Sequence, residues 1–147
     1  MTTPHYYIIN KAIAAHGVWK SRLIEAISTG KCNISAKNAL RVDVCDLGKW
    51  IYGENLLFFR GNPQYTALEK VHAEFHARTG EILKLAENGE TDRASELLER
   101  DQPFAQTSVQ LVKCLKEFGA FLEEHNYETK EDIHFSVETL FGLNPDQ

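Results

Sequence analysis

The chain has 147 residues, a length that suits one domain with a core large enough to hold without disulfide staples. Its 16 basic and 21 acidic residues leave a formal charge of −5, and no basic run is interleaved with aromatics, which argues against a nucleic-acid partner. No apolar run approaches the roughly 20 residues that span a bilayer.

The amino terminus, Met1-Thr2-Thr3-Pro4-His5, has no basic region followed by an apolar core, so the expectation is a cytoplasmic protein with no secretory signal and no membrane partner. An odd set of cysteines, Cys32, Cys45 and Cys114, in a reducing compartment points to thiols or a metal ligand rather than a disulfide framework.

The first predicted helix runs from Pro4 to about Ser28, with Ile8, Ile9, Ala12, Ile13, Ala15, His16, Trp19, Leu23 and Ile27 near one stripe. Gly17 is unfavourable inside a helix by about 1 kcal/mol against alanine, so close approach of a neighbouring element is expected there. Ser28-Thr29-Gly30-Lys31 ends the helix. Residues 31–44 are polar and read as a surface loop, with an alternating patch around Leu40 to Val44. A short helix is expected from Cys45 or Asp46 to Tyr52, stopped by Gly53.

Phe58 to Pro63 forms the next connection, and Pro63 suits the first turn of a helix to Glu87. Leu68, Val71, His72, Phe75, His76, Thr79, Leu83 and Ala86 form its inward stripe. Asn88-Gly89-Glu90 is a stop. A last long helix is expected from Arg93 to about His125, capped by Thr91 or Asp92 and bent or divided at Pro103. Its stripe is Leu97, Leu98, Phe104, Ser108, Leu111, Val112, Leu115, Phe118 and Leu122. The expected fold is all-α: an antiparallel four-helix bundle over residues 1–125, with an additional short helix carrying Cys45. Residues 126–147 form an acidic segment with one short helix around Lys130 to Leu140.

His72 and His76 stand four residues apart, so a helix projects both imidazoles from one face, about a turn apart. Buried in an apolar stripe, each ring nitrogen needs a hydrogen bond or a metal. His16 lies on the apolar face of the first helix, where a histidine is more often a hydrogen-bonded core residue than a ligand. Cys45 sits where a loop meets a helix start, and free backbone N–H groups favour a thiolate there. Together His16, Cys45, His72 and His76 supply three imidazoles and a thiolate, a set suited to tetrahedral zinc and not to magnesium or calcium. Trp19 and Trp50 read as packing residues beside such a site, and Gly48 as a point of close approach.

The blocks His16-x-x-Trp19, Cys45-x-Leu47-Gly48-x-Trp50 and Leu68-x-x-x-His72-x-x-x-His76 together resemble the chemoreceptor zinc-binding domain family, in order, internal spacing and both tryptophans, across roughly residues 7–122. The resemblance implies a cytoplasmic helical bundle that holds zinc through His16, Cys45, His72 and His76, forms homodimers, and does no catalysis. It also implies reporting of zinc, or of oxidants such as hypochlorous acid through the zinc-bound Cys45, to chemoreceptor or diguanylate cyclase pathways. Neither a chemoreceptor coiled coil nor a cyclase domain is present in these residues, so the signal would pass to a partner protein, or the sequence is a fragment of a longer chain. Zinc would keep Cys45 ionised, and oxidation of its sulfur would weaken the bond and release the Cys45 segment.

Three other readings use the same residues. Glu69-x-x-His72 and Glu131-x-x-His134 fit the Glu-x-x-His pattern of di-iron bundles. A hydrolytic zinc site would need an open position and a base, for which Glu74 is the available carboxylate. Finally, zinc could be a structural staple with no sensing role.

Overall fold

The computed structural model describes residues 5–31, 35–43 and 45–125, and every regular element among them is helical. In chain order these are α1 (His5–Thr29), α2 (Ala36–Ala39), α3 (Asp46–Tyr52), a 3-10 turn η1 (Glu54–Phe59), α4 (Pro63–Glu87), α5 (Thr91–Glu96) and α6 (Pro103–Glu124). The short helix expected around Lys130 to Leu140, with the rest of 126–147, lies outside the described residues, as does Cys32.

Three long helices, α1, α4 and α6, form the frame. The pairing of α4 with α6 is the most extensive, and α1 packs against both. Their buried stripes recur at helical spacing: Ile8, Ala12, Ala15, Trp19 and Leu23 on α1; Leu68, Phe75, Ile82 and Leu83 on α4; Leu111, Leu115, Phe118 and Leu122 on α6. The whole stripe expected on α4 is buried, and Gly80 and Ile82 belong to it as well.

Local signals set the boundaries. Asn62 caps α4 by accepting the Gln64 N–H at 3.0 Å, and Pro63, which has no N–H to leave unpaired, occupies the first turn. Gly30 and Gly89 follow α1 and α4 with positive φ (71° and 78°), the left-handed conformation that terminates a helix without a Cβ penalty.

The segment expected from Arg93 to His125 is divided. α5 starts at Thr91 and ends at Glu96, turns follow, and Pro103 opens α6. Neither Thr91 nor Asp92 is the cap: Glu90 holds that position, with no side-chain bond.

Two further expectations are corrected. Gly17 is an exposed position on α1, and among the described residues no atom lies within 4 Å of where its Cβ would stand. The stretch read as a surface loop contains α2, whose Ala36 and Ala39 are buried against α4. Ser35 caps this single turn by accepting the Asn38 N–H at 3.2 Å. Polar composition hid it, because only two small side chains of the turn face inward.

α3 is held to the frame by aromatic packing and one buried hydrogen bond. Trp50 meets Phe118 edge-on at 5.9 Å between ring centroids. The Tyr65 hydroxyl donates to the Ile51 carbonyl at 2.8 Å, fixing the end of α3 to the start of α4. Phe118 also contacts Phe59, Tyr65 and Phe121, so one side chain joins η1, α3, α4 and α6. Replacing Phe118 with alanine is expected to cost about 3–5 kcal/mol by lost transfer energy and a residual cavity, read as a lower urea midpoint.

Candidate metal centre

α4 is a straight run of good helix formers around the two histidines, and its register turns both rings inward. His72 and His76 are 0% and 2% exposed. Their Nε2 atoms lie 3.0 Å apart. The third group arrives from a different element. Cys45 has an extended backbone and precedes α3, where its Sγ acts as the helix cap by accepting the Gly48 N–H at 3.1 Å. The same Sγ lies 3.2 Å from His72 Nε2 and 3.4 Å from His76 Nε2. Cys45 is fully buried.

Gly48 is required at this junction. A Cβ there would collide with the Val42 backbone carbonyl and stand 3.2 Å from Cys45 Sγ. The close approach is thus made by the chain leading into Cys45 rather than by the bundle. That packing seats Val42 against the start of α3, beside the Cys45 sulfur that faces α4.

Burial dominates the electrostatics. Cys45 is pushed up to about 12, chiefly by desolvation and further by the Asp46 charge, against a smaller opposite pull from the N–H groups of Gly48 and Leu47. The helix start favours a thiolate, as its position in the sequence implies, but it does not overcome the loss of water. His72 is lowered by burial and then by His76, and His76 by burial against the opposing effect of its bond to the Ala39 carbonyl. All three groups are therefore neutral around pH 7 in the absence of a cation.

His76 Nδ1 lies 2.7 Å from the Ala39 carbonyl oxygen. A carbonyl only accepts, so Nδ1 carries the proton and Nε2 presents a lone pair toward Cys45 and His72. This is the arrangement of a histidine metal ligand steadied by an outer partner. His72 is different: its Nδ1 is buried with no partner among the described residues.

The donor set fits zinc. Cys45, His72 and His76 are the one group of three or more potential ligands that the described residues bring together, with donor atoms within 4.8 Å of one another. Zn–S bonds of about 2.3 Å and Zn–N bonds of about 2.0–2.1 Å place tetrahedral ligands about 3.4–3.6 Å apart. The observed separations of 3.0, 3.2 and 3.4 Å are slightly tighter than that.

His16 stands outside this group. Its ring lies against Phe75, 4.5 Å between centroids, and it donates toward the Ser108 backbone of α6. It is 7% exposed, its Nδ1 is buried with no partner among the described residues, and burial lowers it from 6.5 to about 4. It also lines a cavity of about 220 Å³ with Lys20, Leu98, Phe104 and Ser108.

Trp19 and Trp50 are buried as expected, at 1% and 2% exposure, and the Trp50 indole N–H has no acceptor among the described residues. Glu74, the base of a hydrolytic reading, is exposed on α4 and pairs with Arg78 at 3.8 Å, facing away from the buried stripe. Glu69 is not among the clustered ligands, and Glu131 and His134 lie outside the described residues. Cys114 is partly buried on α6 and takes no part in the cluster. The contribution of α2 was missed from the sequence; Ser35, three residues before Asn38, was the available capping signal.

The fold and site define a helical protein with a buried sulfur–imidazole donor set that fits a metal ion. Residues 16–83 match the model of the chemoreceptor zinc-binding domain. The matched segment contains His16, Cys45, His72 and His76. No curated protein and no solved structure matches the chain.

Two outcomes follow from this geometry. Gly48→Ala should move the 42–45 segment and weaken zinc binding by at least about 10-fold, measured by competition with a chromophoric chelator. The metal-free chain should be most stable between about pH 6.5 and 9. Below 6.5 the unfolded histidines take protons first, so stability falls until the pH passes the lowered folded values, about 4 for His16. Above 9 the unfolded Cys45 thiol ionises first, and stability falls as pH rises toward about 12. Urea midpoints across this range check both limbs.

Proposed function

We propose that the protein is a zinc-binding regulatory module in which His16 joins Cys45, His72 and His76 as the fourth ligand. The observation that carries this reading is the convergence of Cys45 Sγ with two imidazole Nε2 atoms inside the core, within a segment that matches a zinc-binding domain. His16 supports it in two ways. Its buried Nδ1 lacks a partner, and its ring lies on Phe75, the residue next to His76 on α4.

A bound zinc supplies the positive charge that keeps the buried sulfur a thiolate. The chain's own residues do the rest. His72 and His76 arrive prearranged on one helix, the Ala39 carbonyl holds the proton of His76 away from the site, and the α3 cap fixes the sulfur. Ligands from α1, the 41–45 segment and α4 would tie these parts together, so that metal loading orders the Cys45 segment.

The signal we assign is zinc or an oxidant such as hypochlorous acid. In the second case the Cys45 thiolate attacks the oxidant, and the sum is one sulfenic acid and one chloride from one thiolate and one hypochlorous acid. Full burial of Cys45 means that this step needs the exposed 41–43 segment to open first. Loss of the sulfur as ligand and cap would then free α3 and change the face offered to a chemotaxis or cyclic-di-GMP signalling partner. We place the chain in the cytoplasm, as a homodimer with an antiparallel four-helix fold. No described helix is long and apolar enough to cross a membrane.

Full burial of Cys45 also favours a second reading, a structural zinc that never reports. One experiment addresses both. Zinc analysis should give one ion per chain, and alanine at Cys45, His72 or His76 should weaken binding by more than the roughly 10–100-fold that loss of an outer partner causes. His16→Ala with unchanged affinity would remove the fourth ligand and leave the other three. Hypochlorous acid should release zinc and oxidise Cys45 in the wild type; retention of both zinc and the reduced thiol leaves the structural reading.

A further inference from the structure

The turn at residues 36–40 is seated on α4 at three points. The Glu87 carboxylate accepts the Ala36 N–H at 2.8 Å, tying the start of α2 to the end of α4. Gly80 provides the space for the other end. A Cβ there would stand 2.5 Å from Leu40 Cδ2, 2.6 Å from Leu40 Cγ and 3.3 Å from the Ala36 carbonyl oxygen. Between these two points the Ala39 carbonyl accepts the His76 Nδ1–H at 2.7 Å.

The internal bonds of the turn make it one unit. Ala39 N–H donates to the Ser35 carbonyl at 2.9 Å and Leu40 N–H to the Ala36 carbonyl at 3.2 Å. A shift of Ala36 is therefore transmitted to Ala39. Glu87 itself is exposed, and it lies eleven residues beyond His76, about 16 Å along the helix at 1.5 Å per residue. It touches no member of the metal cluster.

We infer that Glu87 and Gly80 are positioning residues for the metal centre: they seat the 36–40 turn so that the Ala39 carbonyl fixes the protonated nitrogen and the ring plane of His76. The inference deepens the zinc-binding reading and rests on it for the consequence in affinity. It gives α2 and its flanking turn a task in the site. An outer partner of this kind orients a ligand and raises its basicity, and its loss costs roughly 10–100-fold in affinity. Gln is the conservative control, because its amide oxygen still accepts from Ala36.

The test uses the full chain with Glu87→Ala, Glu87→Gln and Gly80→Ala. Zinc affinity is measured by chelator competition, and the His76 Nδ1–H is followed by proton–nitrogen NMR on the metal-free and zinc-loaded chains. Glu87→Ala and Gly80→Ala should each weaken zinc about 10-fold and speed exchange of the His76 Nδ1–H, with overall helicity unchanged. Glu87→Gln should stay near wild type in both. Wild-type affinity and an intact Nδ1–H in Glu87→Ala overturn the inference. So does weaker zinc with an intact Nδ1–H, or a general loss of helix, since either places the effect elsewhere. A wild-type chain that takes no zinc defeats the proposed function instead, and exchange of the His76 Nδ1–H in the metal-free chain still decides whether the turn is held as described.

Discussion

Removing a thiol and two imidazoles from water is unfavourable unless something replaces their solvation, and the packing around α4 depends on how that is met. Each group is pushed toward its neutral form by burial, and His72 Nδ1 has no hydrogen-bond partner among the described residues. A divalent cation answers all three deficits at once, because it attracts the lone pairs of both rings and stabilises the sulfur anion. A hydrophobic trio of similar volume would pack as well without any such demand. The burial of three titratable groups side by side is what marks this cluster as a candidate site.

The same sulfur serves two structural needs. It accepts the Gly48 N–H as the cap of α3 and faces the two Nε2 atoms of α4. α3 is seven residues long, too short to be stable on its own, and relies on this cap and on Trp50, Ile51 and the Tyr65 bond for its place. Chemistry at one atom is thereby coupled to the position of a whole element. The frame of α1, α4 and α6 has its own apolar stripes and does not share that dependence.

Much of this was legible from residue spacing. The α4 stripe, the helix following Cys45 and the stops at Gly53 and Asn88-Gly89 follow from local rules that operate within a few residues. The pairing of His72 with His76 is likewise a property of one helix. Convergence of Cys45 with that pair is a long-range event, and it was reached only because three motif blocks resemble one family. What was hidden depends on backbone atoms or on absence of side chain. The Ala39 carbonyl has no signature in sequence, and Gly80 and Gly17 look alike although one admits Leu40 and the other faces open space. His16 lay on the predicted face, but an apolar stripe does not specify whether a ring turns toward Cys45, His72 and His76 or, as here, toward Phe75 and Ser108.

The donors are unequally anchored. Two project from the interior of a 25-residue helix, whereas the sulfur is carried at the junction of a short segment and a short helix. An ion held here would find the imidazole pair fixed by one long helix and the sulfur fixed only by the junction that leads into α3. A change confined to that junction would alter how the sulfur is presented and leave the imidazole pair as it is.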